Sequence, residues 1–329
     1  MTPPSAATAD SKGRLLVIGA TGFIGRFMAE ASTESGRPTY VLVRPGSCFS
    51  PTKADAVKSL KEKGAIVVEG LMNDTDLMEK ILKEHKIEIV ISVVGGKAIM
   101  DQIALVEAIR AVGTVKRFLP SEFGHDIDRA GPVEPGLQMY IEKRKIRRMI
   151  EEYRVPYTYI CCNSVASWPY YDNTHPSEVL PPLDQFQIYG DGSVKAGSDI
   201  GKFTVKVADD VRTLNTSVHF RPACNLYNMN ELATLWEKKI GRTLPRVTIS
   251  EGDLLDIAAC NPPNDIPRSI VASFTHDIFI KGCQTNFMID GPNDVEVGDL
   301  YPEETFRTLD ECFNDFAVMM KKPMVFCSK

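Results

Sequence analysis

An apolar run at 14–18 passes directly into Gly19-Ala20-Thr21-Gly22-Phe23-Ile24-Gly25, and a helical pattern over 23–35 follows at once. Few folds accept three glycines at that spacing between a strand and a helix. The first glycine permits a tight turn, the second lets backbone approach a pyrophosphate, and the third lets helix and sheet pack closely. The start of the helix adds unbonded N–H groups and the positive end of its dipole. This is the context that a dinucleotide-binding fingerprint requires. Gly19, Ala20, Thr21, Gly22, Phe23, Ile24 and Gly25 are therefore candidate cofactor-binding residues. A glycine-rich turn without a ligand is the plainer reading of the same residues.

The strand–helix rhythm continues. Apolar runs at 39–43, 65–69, 88–93, 117–120 and 157–161 alternate with helical patterns at 53–63, 74–84, 98–112 and 137–153. Such alternation predicts parallel strands joined by crossover helices. Continuous Val/Ile/Leu runs suit strands covered on both faces. The expected class is α/β, a Rossmann-type doubly wound parallel sheet. Beyond Pro169 the rhythm breaks at Pro176, Pro181, Pro182 and Gly190-Asp191-Gly192. Short strands at 185–189 and 217–221 and helices at 231–240, 251–260, 269–280 and 304–320 are predicted there. The expected division is a disordered tail over 1–12, a Rossmann domain over 13–168, and a smaller α+β substrate-binding cap over 169–329, partly interleaved with the first.

Composition narrows the functions open to such a chain. Its 329 residues carry a formal charge of −5, which gives no basic stripe for nucleic acid. No apolar run reaches the length of a membrane span. Met1–Lys12 has no apolar signal region, so a cytoplasmic location is expected. The eight cysteines form no CxxC pair and no zinc spacing, and read as buried thiols rather than metal ligands.

The strand at 39–43 ends in Arg44, where readers of NADH place an acidic residue. A guanidinium there accommodates a 2′-phosphate, so NADPH is the expected cofactor. Lys53 offers a second cation, or is a solvated lysine at a helix start. Ser92 and Gly95-Gly96 fall at the carboxyl end of the fourth strand, where ligand crevices open. A tight turn explains that glycine pair equally.

His125 follows the fifth strand and can pass protons near neutral pH; a surface or capping histidine is the alternative. Tyr140, Lys143 and Arg147 share one face of a strongly basic helix. A lysine beside a bound cofactor can act as acid or base if its pKa is lowered, although such a charge run is commonly a solvated face. Tyr140 and Lys143 are separated by two residues, one fewer than the Tyr-x-x-x-Lys of short-chain dehydrogenases. The tyrosine-base mechanism is therefore not expected.

Gly19 to Gly25, Arg44, Lys53, Phe118-Leu119-Pro120-Ser121-Glu122-Phe123-Gly124 and the lysine helix together resemble plant isoflavone reductase-like proteins, which are atypical short-chain reductases. The resemblance runs from about Lys12 to Met320. Arg117-Phe118-Leu119-Pro120, Ile160-Cys161-Cys162-Asn163 and Thr275-His276-Asp277 are similar to stretches of that family's leucoanthocyanidin reductase branch. The segment Lys195–Gly201 is shorter than its family counterpart, and so is the tail ending at Lys329.

The resemblance implies NADPH-dependent reduction of a flavan-3,4-diol such as leucocyanidin to a flavan-3-ol such as catechin. It implies Lys143 as catalytic acid/base, His125 as a second proton-handling residue and Arg147 as a cofactor contact. It also implies Tyr140, Ser164, Trp168 and His276 as substrate-side positions; a packed helix histidine is the other reading of His276. The diol's C4 hydroxyl is benzylic, and a para phenol can expel it, leaving an electron-poor C4 for hydride. Two other readings share the sheet: a reductase of an isoflavone, lignan or phenylcoumaran, and a non-catalytic NADP(H)-sensing regulator.

Overall fold

The first strands are β1 (Leu15–Ile18), β2 (Thr39–Val43), β3 (Ile66–Glu69), β4 (Ile89–Ser92) and β5 (Arg117–Leu119). They pair in parallel in the order β3-β2-β1-β4-β5. Parallel partners need long crossovers, supplied here by α1 (Phe23–Glu34), α2 (Pro51–Glu62), α3 (Thr75–Glu84) and α4 (Gln102–Val112). β1, β2, β4 and β5 are buried along their whole length, as strands sheathed on both faces must be. Strand order reverses between β1 and β4, and a crevice opens beyond the carboxyl ends at such a switch point. The coordinates are a computed structural model, which describes residues 12–165, 183–190, 193–197, 199–260 and 266–321.

After α5 (Gly136–Glu152), β6 (Thr158–Cys161) extends the sheet through a parallel bridge between Phe118 and Tyr157. The later strands are β7 (Ser164–Val165), β8 (Phe186–Tyr189), β9 (Ser193–Gly197), β10 (Thr216–His219), β11 (Leu226–Asn228), β12 (Arg246–Ile249) and β13 (Asp294–Glu296). The later helices are α6 (Ile200–Asp209), α7 (Met229–Ile240), α8 (Glu251–Ala259), α9 (Ile266–Thr275), α10 (Val297–Leu300) and α11 (Leu309–Lys321). β10 pairs in parallel with β6 and β13, so two late segments return to the main sheet. α6 returns with them and packs on α1.

A second core forms around Trp236, Phe313, Phe186, Tyr189 and Phe279. It gathers α7, α9, α11 and the β8–β12 pair, and it reaches Tyr140 on α5. This smaller α+β body stands beside the carboxyl edge of the sheet. Among the described residues no helix is long and apolar enough to cross a membrane.

The expected α/β doubly wound sheet is present. α6, β7, β9, β11, β12, β13 and α10 were not predicted. α6 reads poorly as a helix because it contains Gly201 and the β-branched Thr204, Val205 and Val207. The glycine has a packing reason: a Cβ there would lie 2.5 Å from the Phe27 carbonyl oxygen of α1. The helix predicted from 304 starts at Leu309 instead. Thr308 and Glu311 form a reciprocal cap there, with the Thr308 N–H donating to the Glu311 carboxylate at 2.8 Å and the Glu311 N–H to Thr308 Oγ1 at 3.3 Å. In the short link from β9 to α6, Asp199 takes φ +53°, and its carboxylate accepts from the Arg307 N–H at 2.8 Å.

Candidate active site

The glycine loop leaves β1 through Gly19, whose φ is +87°. A Cβ at Gly19 would sit 2.2 Å from the Val93 carbonyl oxygen, and one at Gly25 2.1 Å from the Gly19 carbonyl oxygen. No side chain fits at either place, so turn and close helix packing both demand glycine. Gly22 is the N-cap of α1 and supplies no side-chain cap. The first N–H groups of α1 are thus left to a ligand.

These residues border a cleft of about 490 Å³ that Gly19, Thr21, Gly22, Arg44, Lys53 and Val94 help to line. Arg44 and Lys53, nine positions apart in sequence, meet at its rim, and neither is in an ion pair among the described residues. Two cations without carboxylate partners beside a glycine turn fit the adenosine 2′-phosphate and pyrophosphate of NADPH.

The side chains of four expected cofactor positions do not line this cleft. Ala20 is in the core, 1% exposed, so its side chain faces away from the cleft. The side chains of Phe23 and Ile24 line a separate groove between α1 and α6, while their backbone N–H groups belong to the uncapped start of α1. Ser92 is buried behind the cleft wall, its hydroxyl directed at the sulfur of Met72.

The chain leaves β5 through Ser121 and Glu122, then turns sharply at Phe123, φ +31°. The Val94 N–H donates to Ser121 Oγ at 2.9 Å, and Ser121 returns a bond to the Val94 carbonyl. The loop after β5 is thereby fastened to the wall of the cofactor cleft. Lys143 reaches this same point from α5, its Nζ donating to the Glu122 carbonyl at 2.7 Å. Burial lowers the Lys143 pKa and the charge on Arg147 lowers it further, while Glu122 opposes both. Nearby, burial pushes the Cys162 thiol up to about 12.

His125 lies in the same cluster. Its Nδ1 is 2.5 Å from the Tyr140 hydroxyl and its Nε2 is 3.0 Å from the side-chain nitrogen of Gln284. Burial, with the charge of Lys143, holds its pKa down to about 4, so the ring is neutral near pH 7. Burial raises the Tyr140 phenol well above its ordinary range. Tyr140 meets His125, stacks on Phe274 and is 5% exposed. It supports the histidine rather than lining open space, which revises its expected place against substrate. Ser164 Oγ, also buried, accepts from Gln284 at 2.6 Å.

Arg147 is a correction. It stands one turn beyond Lys143 and is 2% exposed. Nε and Nη2 bind the two Glu122 oxygens at 3.0 Å each, and Nη1 binds Asp126 at 2.8 Å and Asp128 at 3.1 Å. Nη2 also faces Cys161 Sγ, and the guanidinium lies over the Tyr159 ring. Every N–H is committed, so Arg147 holds up the loop that carries His125 and has no donor left for a cofactor. His276 is a buried helix histidine, its Nε2 bonded to Glu251 at 2.9 Å. Trp168 lies outside the described residues. Asp126, Cys161 and His219 offer atoms within 4.8 Å of one another, a spacing a metal could use. Arg147 donates to the first two and Asp294 holds the third, so a guanidinium already supplies the positive charge.

The three short stretches quoted above serve as braces. Arg117 donates to Thr158 at 2.6 Å and to Thr213 at 2.9 Å, tying β5 to β6 and to the turn before β10. Asn163, at φ +56°, donates its backbone N–H to the Gly124 carbonyl and its side-chain amide to Phe220. Asp277 accepts from the Gly131 N–H at 3.1 Å. Sequence reasoning missed Gln284, which lies in no motif. It also missed the part played by Ser121, although that residue stood within a quoted stretch.

The sequence profile of the NmrA-like family matches residues 11–313. The chain is 61% identical over 324 residues to a leucoanthocyanidin reductase of Desmodium uncinatum, covering 97% of this chain and 84% of that one. It is 44% identical over 309 residues to a phenylcoumaran benzylic ether reductase of Ginkgo biloba, covering 93% and 99%. Among solved structures, the binary complex of leucoanthocyanidin reductase with NADPH from Vitis vinifera superposes with a TM-score of 0.87 at 64% identity, covering 93% of this chain and 100% of that one.

Proposed function

The chain belongs to the NmrA-like family, among its leucoanthocyanidin reductases, and from that premise we propose that it is an NADPH-dependent oxidoreductase of flavonoid biosynthesis. It reduces a flavan-3,4-diol such as leucocyanidin at C4 to a flavan-3-ol such as catechin. The observation that carries this reading is the 61% identity to a leucoanthocyanidin reductase across 97% of the chain.

When bound, NADPH supplies the hydride. The glycine turn and the uncapped start of α1 would hold its pyrophosphate, and Arg44 with Lys53 would hold its 2′-phosphate. Lys143 takes the phenolic proton, its amine anchored on the Glu122 carbonyl and biased by burial toward the neutral base; that proton leaves with the C4 hydroxyl as water, and a proton from solvent restores the phenol after hydride transfer. His125, neutral with its ring nitrogens bonded to Tyr140 and Gln284, acts on the departing C4 hydroxyl through that hydrogen-bond network and is not its proton source. Ser164 borders the diol. The substrate is a small apolar-faced flavonoid, and the protein works in the cytoplasm.

Product analysis with purified protein, NADPH and leucocyanidin tests the proposal. Catechin formed with stoichiometric NADPH oxidation supports it. Turnover of an isoflavone, a lignan or a phenylcoumaran in place of the diol would assign the chain to another branch. NADPH binding without turnover of any of them would make it a sensor.

A further inference from the structure

Gln284 is completely buried on the turn that follows the π-helical extension of α9, His276–Ile280. Its side-chain nitrogen lies 3.0 Å from His125 Nε2 and 2.6 Å from Ser164 Oγ. An amide NH₂ has two donors and no acceptor. One N–H therefore meets the imidazole nitrogen and the other the hydroxyl oxygen. A ring nitrogen that faces a donor must present its lone pair, so the proton of the neutral ring sits on Nδ1. The Tyr140 oxygen, 2.5 Å from Nδ1, accepts it. Ser164, already accepting from Gln284, keeps its own proton for donation. One side chain of the cap thus fixes hydrogens on two residues delivered by the loop after β5 and by β7.

We propose that Gln284 is a positioning residue of the reaction: it holds His125 as the neutral tautomer protonated at Nδ1 and leaves the Ser164 hydroxyl as a donor toward substrate. The inference deepens the reductase reading and rests on His125 and Ser164 ordering the hydrogen bonds at the site of that reaction. Among the described residues, the charged and titratable groups around the histidine are Lys143 and Tyr140 of α5. Behind Tyr140 stand Glu122 of the loop after β5, Arg144 of α5, and Asp277 and Cys283 of the cap. None of them supplies a donor to Nε2 in place of Gln284.

The test is ¹⁵N NMR of protein labelled at the histidine ring nitrogens, with the His125 signals assigned by loss in His125→Asn. In the wild type, Nε2 is expected unprotonated and Nδ1 protonated. Gln284→Glu keeps the shape but turns a donor into an acceptor. It should move the proton to Nε2 or protonate both nitrogens, and lower kcat roughly 10-fold or more with NADPH affinity within about twofold. Gln284→Met keeps the volume without donors and should mix the tautomers with a similar loss. A merely structural glutamine would change Tm and leave the tautomer alone. Nε2 protonated in the wild type would overturn the proposal, as would an unchanged tautomer and kcat in both variants. If Gln284→Glu fails to fold, the wild-type spectrum and Gln284→Met still decide. The tautomer is read without substrate, so a protein that turns over no diol would defeat the reductase reading and leave this assignment standing.

Discussion

Lys143 and Arg147 stand four residues apart on one helix face, yet Lys143 gives its amine to a backbone carbonyl, that of Glu122. Arg147 has every N–H in use on acidic partners. Sequence could place both on the same face but could not say which would meet Glu122 and Asp126, because those partners come from a distant loop. The glycine turn and the place of Arg44 at the cleft were legible, since they depend on local backbone and on position at a strand end. The same limit hid Gln284, more than a hundred residues from His125. Lys143→Ala should lower kcat by roughly 10²–10⁴-fold while NADPH affinity, measured by fluorescence titration, stays nearly constant. Parallel loss of both would make Lys143 a cofactor-binding residue instead. Arg44→Asp should shift the kcat/KM ratio toward NADH, by removing the cation and offering a carboxylate to ribose hydroxyls. An unchanged preference would remove Arg44 from the phosphate site.

At the scale of elements, the early strands and helices were readable because β1, β2, β4 and β5 are covered on both faces and keep continuous apolar runs. α6 was not readable. Its glycine and β-branched residues argue against a helix until the contact with Phe27 of α1 is known. Gly201→Val should cost about 1–3 kcal/mol in urea unfolding, because the added side chain overpacks that contact. A neutral result would mean that α1 and α6 part easily. Arg147→Met should cost more, about 3–5 kcal/mol, because it strands Glu122 and Asp126 without their buried cation. Catalysis should fall with it as the loop carrying His125 loosens.

For the whole molecule, two cores meet at α5, and the candidate catalytic groups lie between them under heavy burial. This arrangement makes stability fall with acid. His125 has a folded pKa of about 4 against 6.5 when unfolded, so the unfolded chain takes up a proton that the folded one refuses. Its contribution is complete above pH 6.5 and is lost toward pH 4, about 3 kcal/mol in all. His219, also lowered by burial, acts in the same direction. Urea unfolding near neutrality and again at about pH 5 should show a smaller drop for His125→Asn than for the wild type. Equal drops would mean that the ring is not held neutral. The broken rhythm after Pro169 marks where the regular alternation of the parallel sheet ends. The return of α6, β10 and β13 to the sheet was not legible, because short strands that pair across long sequence distances carry little local signal.

The central claim is hydride delivery from NADPH to a benzylic carbon, with this chain's own residues managing the protons. NADPH deuterated at both C4 positions of the nicotinamide, incubated with leucocyanidin and the purified protein, tests it most directly. One deuterium at C4 of the flavan-3-ol, with one NADPH oxidised per product, is the predicted result. Product without deuterium, or deuterium at another carbon, would contradict the account.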